Sequence, residues 1–161
     1  MKYLTRQLLI PYHPIMSPNK LPRHKAVVIS ILRSADRLRH QGEALLAPHD
    51  VTLQQFNVLR FLRGARPDGL CTLAIAQRMI EQTPGITRLI DRLEKKGLVR
   101  RVRSEEDRRQ VWCRITPAGE RLLARLDDPV EQFDRAAVRR LSPADQDQLT
   151  TLLGQLHGEP G

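Results

Sequence analysis

The sequence predicts a mainly α-helical fold with one small β-hairpin, and three observations support this prediction. Apolar residues recur at spacings of three and four over most of the chain, which is the pattern of helices that bury one face. Only 4% of the 161 residues are aromatic, which favours helices packed through aliphatic side chains over a β-sandwich. The apolar spacing changes to two only between residues 98 and 115. The length fits one domain with a real core.

The first elements are an arm and two helices. Four prolines fall within residues 1–22, and their spacing forbids a long helix, so we predict an extended arm there. The apolar stripe of residues 23–47 predicts one long amphipathic helix. Thr52 followed by Gln55 has the form of a capping box and opens a short helix that ends at Gly64.

Two more short helices follow a loop. Thr72 is predicted to cap the third helix, which runs to about Ile80. Thr83 with Pro84 is predicted to open the fourth, because threonine is a common N-cap and proline suits the first helical position. The fourth helix is predicted to stop at Gly97, since glycine often follows the last helical residue.

The remainder of the chain is predicted to form a hairpin and two helices. The alternation over residues 98–115 indicates two strands around a polar tip at residues 104–110. Thr116-Pro117 and Ser142-Pro143 repeat the threonine or serine cap followed by proline, and each pair opens a helix.

Two short helices followed by a two-stranded ribbon is the layout of a winged helix-turn-helix, whose second short helix enters the DNA major groove. The apolar positions of the fourth helix face inward, and its outward positions begin at the N-terminus, where phosphates and base edges are met. A solvated helix face is the alternative interpretation. The outward positions are Thr83, Gly85, Thr87, Arg88, Asp91 and Arg92.

Arginine side chains carry the predicted contacts with DNA. Arg88 and Arg92 lie one turn apart, and each offers a fork for guanine or phosphate. At the hairpin tip, an arginine is predicted to insert into a minor groove, whose negative potential attracts a guanidinium. An aspartate two residues before Arg109 is placed to hold that side chain extended. The alternative is a polar turn without a partner. The tip residues are Asp107, Arg108 and Arg109, and Thr72 and Arg103 complete the predicted DNA-binding set.

The distribution of charge favours a polyanionic partner. The net charge is +9, and residues 1–40 contain eight Lys or Arg against one acid. Residues 78–114 contain eleven against six, whereas residues 115–161 contain five against eight. Such a basic chain is expected to attract nucleic acid or an acidic membrane surface. No apolar run reaches the length of a membrane span, so we expect a soluble cytoplasmic protein without a membrane partner.

Motifs for metal binding or catalysis are missing from the sequence. Cys71 and Cys113 form no C-x-x-C pair, and the five histidines form no H-x-x-H arrangement. No glycine-rich phosphate loop, nucleophile elbow or paired-carboxylate motif occurs. We therefore predict no metal, no cofactor and no enzymatic activity. Both cysteines are interpreted as small buried hydrophobes.

Three runs carry a resemblance to a known family. They are LEKKGLVRR at residues 93–101, SEEDRR at residues 104–109 and ITPAG at residues 115–119. In order and spacing they resemble the signature of the MarR (multiple antibiotic resistance regulator) family of winged helix-turn-helix transcriptional regulators. The likeness covers about residues 25–157 and leaves out the proline-rich arm.

The resemblance implies a homodimer. Residues 23–157 would form one domain, with residues 52–116 as the winged helix-turn-helix and residues 23–47 and 117–157 as dimerisation helices. The two winged units would address successive major grooves of a pseudo-palindrome. The apolar stripes of residues 28–46 and 149–156 independently favour a second copy, although they also fit packing on each other within one chain.

The resemblance also implies a small aromatic or phenolic effector at the junction between the dimerisation helices and the winged unit. His40 in the first helix is a candidate for lining such a pocket, with a structural role as the alternative. The oxidant-sensing members of the family carry their reactive cysteine in the first helix, where this chain has none.

Three hypotheses for function remain at this point. The first is a sequence-specific regulator, with repression favoured, that binds double-stranded DNA at one preferred operator and is released by a ligand. The second is an architectural or nonspecific nucleic-acid-binding protein, which predicts uniform binding with a steep dependence on salt. The third is an enzyme or interaction module on a winged scaffold, because fold alone does not fix function.

Overall fold

The computed structural model describes residues 21–79, 85–103 and 111–157, and within them it is mainly helical with a small antiparallel sheet. The predicted fold class is therefore confirmed. Residues 1–20, which include most of the predicted arm, lie outside the described part. In chain order the elements are α1 (Arg23–Leu46), α2 (Leu53–Gly64), β1 (Leu70–Cys71), α3 (Thr72–Arg78), α4 (Ile86–Lys95), β2 (Val99–Arg103), β3 (Val111–Ile115), α5 (Pro117–Val138) and α6 (Pro143–His157).

The chain divides into two compact units, residues 1–38 and residues 39–161, with the boundary inside α1. The described part of the first unit is residues 21–38, most of which belong to α1, and it leaves four large apolar side chains exposed, at Val27, Val28, Leu32 and Leu38. The second unit contains the hydrophobic core. Its fully buried side chains come from the end of α1, from α2, α3, α4 and α5, and from the sheet, and they include Leu59, Ile75, Ile90, Leu123 and Cys113.

The sheet has one more strand than the sequence predicted. The hairpin of β2 and β3 forms as expected, with Val99 opposite Ile115 and Arg103 opposite Val111. The segment before α3 adds β1 to the other edge of β3, where Leu70 pairs with Cys113, so the strand order is β1-β3-β2. The sequence pattern predicts a loop before this segment and a helix after it, and it predicts no strand at Leu70 and Cys71. A two-residue strand is too short to show an alternating pattern.

The capping predictions for α2 and α5 are confirmed. The Gln55 amide donates to Thr52 Oγ1 at 3.2 Å, and the Thr52 amide donates to Gln55 Oε1 at 3.1 Å, which is the reciprocal capping box. Thr116 Oγ1 accepts a hydrogen bond from the Gly119 amide, with Pro117 as the first residue of α5. These bonds satisfy amides that a helix N-terminus leaves without partners.

The predicted end of α4 is also confirmed. Gly97 has a φ of +68°, a conformation that glycine adopts without strain. Its amide donates to the Glu94 carbonyl at 2.8 Å, and the Leu98 amide donates to the Leu93 carbonyl at 3.0 Å. This pair of bonds is a Schellman motif, and it turns the chain sharply from α4 into β2.

A bidentate ion pair joins α2 to α5. The two terminal nitrogens of Arg63 donate to the two carboxylate oxygens of Asp127, each at 2.8 Å. The hydrogen bond from Arg63 lowers the pKa of Asp127, and the same bond raises the pKa of Arg63. Because about a third or more of each side chain is exposed, solvent screening limits the contribution to about 0.5–1 kcal/mol.

Replacement of Asp127 by asparagine is expected to lower the free energy of unfolding at pH 7 by about 0.5–1 kcal/mol. The folded state lowers the carboxyl pKa, so the stabilisation is full above the unfolded value of about 4 and disappears as pH falls through the folded value. Urea unfolding at several pH values measures this difference between variant and native chain. Asp128→Asn, at an exposed neighbour without a described ion pair, is the control, and an equal loss there would contradict the assignment.

Candidate nucleic-acid interface

The helix α4 begins two residues later than the sequence predicted. Its N-cap is Gly85, with a φ of +108°, and the first helical residue is Ile86. The prediction that Thr83 caps this helix is therefore wrong, and Thr83 itself lies outside the described residues. A left-handed N-cap is available to glycine without steric cost, which explains why Gly85 takes the position.

The two faces of α4 differ as predicted. Leu89, Ile90 and Leu93 are buried in the core, and Ile86 packs against it. On the other face Thr87, Arg88 and Arg92 are exposed to solvent. No acidic side chain in the described ranges pairs with Arg88 or Arg92. The core thus holds α4 while its second face presents two guanidinium groups to which the described part of the chain offers no acidic partner.

Arg101 on β2 binds two acidic side chains of α4. Its guanidinium lies 2.6 Å from Asp91 and 2.5 Å from Glu94, and its backbone amide donates to Glu94 Oε1 at 3.0 Å. Burial alone would lower the pKa of Arg101, but the hydrogen bonds to Asp91 and Glu94 outweigh burial, so this pKa is raised. Asp91, predicted to face outward, keeps 45% of its side chain exposed, but its charge is paired with Arg101.

The sequence contains a pattern that could have predicted the contact of Arg101 with Asp91 and Glu94. Val99, Arg101 and Arg103 alternate on one side of β2, and the side that contains Val99 faces the core. An arginine on an inward face needs acidic partners, because an unpaired buried charge is costly. Two acids stand one turn apart in the neighbouring helix, at Asp91 and Glu94.

The pairing of both acids leaves the surrounding surface strongly positive. Asp91 and Glu94 are the acidic residues of the described segments between residues 72 and 103, and Arg101 binds both of them. Lys96 is held by Asp50 at 2.9 Å. The exposed cations of these segments that form no ion pair with another described residue are Arg78, Arg88, Arg92, Lys95, Arg100 and Arg103. A polyanion is the partner that such a surface attracts.

Of the hairpin residues predicted to contact DNA, only Arg103 lies within the described part of the structure. Arg103 is exposed at the end of β2, opposite Val111 of β3. The tip residues Asp107, Arg108 and Arg109 lie outside the described residues, so their predicted contacts stay predictions. The strands that carry the tip are anchored, because Val99, Cys113 and Ile115 are buried in the core.

Thr72 does not have the position that the sequence predicted. It is the first residue of α3, the N-cap is Cys71, and no side-chain cap is formed. The Thr72 side chain hydrogen-bonds the thiol of buried Cys113 instead, and burial raises the pKa of that thiol. The predicted capping role is wrong because β1 carries the chain directly into the helix. Thr72 is half-buried at this position.

His40 of α1 is the remaining candidate residue, and it was predicted to line a ligand pocket. The side chain of His40 is 63% exposed and lies 3.9 Å from Glu43, so its predicted role in a ligand pocket stays untested. Among the described residues, no cluster of His, Cys, Asp and Glu has the arrangement of a metal site. None of the helices in residues 21–79, 85–103 and 111–157 has the length and hydropathy needed to cross a bilayer.

Comparison with known proteins gives a consistent result. The MarR family model matches residues 51–111, a range that contains α2, α3, α4 and β2. The crystal structure of a MarR transcription factor from Planctomyces limnophilus is 36% identical to this chain. That alignment covers 84% of this chain and 98% of the other, with a TM-score of 0.65.

Two proteins of Escherichia coli extend the comparison. The homoprotocatechuate degradative operon repressor is 25% identical over 130 residues, which are 81% of this chain and 86% of the repressor. A mutant of MarR in complex with operator DNA has a TM-score of 0.73 at 23% identity, with 81% of this chain and 92% of that chain covered. At that level of identity the second likeness concerns the fold alone.

Proposed function

The chain belongs to the MarR family of transcriptional regulators, and we propose that it binds a pseudo-palindromic DNA operator as a homodimer and represses transcription there. The observation that carries this proposal is the surface of α4. This helix is fixed in the core by Leu89, Ile90 and Leu93 and presents Thr87, Arg88 and Arg92 to solvent. A helix held in this way beside a hairpin matches the recognition helix of a winged helix-turn-helix.

In the proposed complex α4 lies in the major groove. Arg88 and Arg92 bond guanine edges or phosphates, and Thr87 contacts a thymine methyl group or a phosphate. The backbone at Gly85, at the positive end of the helix dipole, faces a phosphate. Thr83 precedes this end in the sequence and keeps its proposed contact. Thr72, the first residue of α3, keeps its proposed contact as well.

The hairpin supplies the second set of proposed contacts. Arg103 lies at the exposed end of β2, where a phosphate of the flanking backbone is within reach of a long side chain. Arg108 or Arg109 enters the minor groove, and Asp107 holds the inserted side chain extended. Residues 52–116 then act as the DNA-binding unit, and residues 1–22 remain an arm outside it.

Dimerisation is supported by apolar side chains that the single chain leaves exposed. Val28 and Leu32 of α1 are exposed in the first unit. In the second unit Leu149, Leu152 and Leu156 of α6 follow the spacing of one helix face and are 43%, 51% and 65% exposed. A contiguous apolar face of this kind marks an interface. We propose that residues 23–47 and 117–157 bury these faces between two copies.

A small aromatic molecule is the proposed signal that releases the operator. The support comes from the E. coli relative, which is the repressor of the operon for homoprotocatechuate degradation. A ligand relieves repression when it binds better to a dimer whose recognition helices do not match the operator. A regulator of chromosomal genes works in the cytoplasm, which is the location we propose.

Arg88→Ala is expected to weaken operator binding by about 10-fold or more and to relax base preference at one position in each half-site, because a bidentate contact with guanine contributes about 1–3 kcal/mol of discrimination. Binding of an operator library by native and variant protein measures both effects. Lys95→Ala, a nearby exposed cation at the end of α4, is the control for loss of charge alone. Unchanged base preference in Arg88→Ala would make this residue a phosphate contact.

A selection of genomic fragments with the purified protein at physiological salt tests the proposed function. Footprinting of the enriched fragments should reveal an inverted repeat protected on two successive major grooves. Recovery of unrelated fragments that are released together as salt rises would favour the architectural alternative, since nonspecific binding depends on counterion release.

A further inference from the structure

Arg101 is tied to α4 by more bonds than the other arginines of the hairpin strands. One terminal nitrogen reaches Glu94 and the second reaches Asp91 at 2.6 Å, with the Thr87 carbonyl 3.4 Å away. The backbone amide of the same residue donates to the second oxygen of Glu94 at 3.0 Å. One residue of β2 is thus joined to three successive turns of α4.

The planar shape of the guanidinium is what this contact uses. Asp91 and Glu94 lie one turn apart on α4, and two nitrogens of one rigid fork meet them together. Lysine has the same charge but only a single ammonium group, so it cannot hold both carboxylates in one fixed plane. The contact therefore fixes the angle between β2 and α4, in addition to attracting them.

The strand backbone from which the Arg101 side chain extends is also well packed. Arg101 stands opposite Cys113 of β3, which is fully buried. The Arg101 side chain extends from this part of the sheet to α4, and only 26% of it is exposed. Apolar packing already holds α4 in the core through Ile90 and Leu93. The additional effect of Arg101 is on the placement of the hairpin.

The contact with Arg101 also pairs two negative charges of α4 that are unfavourable on a DNA-binding surface. Asp91 and Glu94 lie in the second half of α4, where the negative end of the helix dipole disfavours acidic side chains. Without a partner they would also repel the phosphates of DNA. Arg101 offsets both effects, and within the described residues neither Asp91 nor Glu94 pairs with Arg88 or Arg92.

We propose that Arg101 is a positioning residue that locks the β2–β3 hairpin to α4, so that wing and recognition helix meet DNA as one rigid body. The inference rests on the proposed function, in which both elements bind the same operator. Arg101 itself does not contact DNA in this arrangement. It acts by keeping the wing tip at a fixed distance and angle from α4.

The first test uses the free protein and does not depend on DNA binding. Amide hydrogen exchange is measured for the native chain, Arg101→Gln, Arg101→Lys and Arg100→Gln. Arg100 is the matched control, because it is the exposed neighbour on the opposite side of β2. Both Arg101 variants should exchange about 10-fold faster in β2 and β3, with α2 and α5 unchanged. Equal acceleration everywhere, or native protection in Arg101→Lys, would overturn the proposal.

The second test is a double-mutant cycle on the operator. Arg101→Gln and Arg109→Ala are each expected to weaken binding about 10-fold, and the double variant should lose little more than either single variant, because both changes remove the same wing contact. A loss of about 100-fold in the double variant would show independent effects and contradict positioning through the wing. If the native chain binds no operator, the proposed function fails, while the exchange experiment still decides the role of Arg101.

Discussion

The Leu152→Glu variant is expected to be monomeric and to bind the operator at least about 100-fold more weakly than the native chain, because a dimer gains that much from two linked half-site contacts. Leu152 is 51% exposed on α6, between two other exposed leucines. A carboxylate introduced there would be buried without a partner in the proposed dimer. Light scattering after gel filtration measures the oligomeric state, and fluorescence anisotropy with a labelled operator measures affinity.

Thr150→Glu is the matched control for this variant. It adds the same charge to α6 two residues away, on the opposite side of the helix, where Thr150 is exposed. We expect this control to remain dimeric and to bind normally. Circular dichroism should show that both variants are helical. A dimeric Leu152→Glu protein with native affinity would exclude this face of α6 from the interface.

Much of the fold could be predicted because its boundaries depend on local chemistry. The Thr52 and Thr116 caps, the glycine after α4 and the alternation of β2 and β3 are each set by residues within a few positions of one another. Such signals can be recognised without knowledge of tertiary contacts. The exposed face of α4 was predictable for the same reason, since helical spacing alone separates Arg88 and Arg92 from the buried leucines.

The errors arose where distant residues decide the structure. Leu70 is a strand residue only because β3 offers it a partner more than forty positions later in the chain. Asp91 is paired and only partly exposed because Arg101 binds it from another element. Thr72 is not a cap because β1, paired with β3, carries the chain directly into α3 and makes Cys71 the N-cap. In each case a tertiary contact overrides a local preference. Only for Asp91 does the sequence contain a sign of that contact, because Arg101 falls on the inward side of β2 and the two acids lie one turn apart on α4.

Gly119→Ala is expected to lower the free energy of unfolding by about 2 kcal/mol, since overpacking a filled site costs about 1–3 kcal/mol and exceeds the helix propensity that alanine gains. A Cβ at this position would lie 2.5 Å from the Leu98 carbonyl oxygen and 2.8 Å from Ile115 Cγ1. Gly119 thus allows the start of α5 to rest on the first residues after α4. Thermal unfolding at a fixed protein concentration measures the change, expected to be roughly 4–8 °C.

Operator binding should fall with stability in this variant. The backbone at Leu98 directly follows the end of α4, and the Thr116 amide also donates to the Leu98 carbonyl at 3.1 Å. An added methyl group must push α5 and this carbonyl apart, which moves the end of the recognition helix. Gly64→Ala is the matched control, because Gly64 is helical and exposed with no heavy atom within 4 Å of the added Cβ. Equal stability in the Gly119 and Gly64 variants would mean that α5 yields without cost, and the close contact would then not position α4.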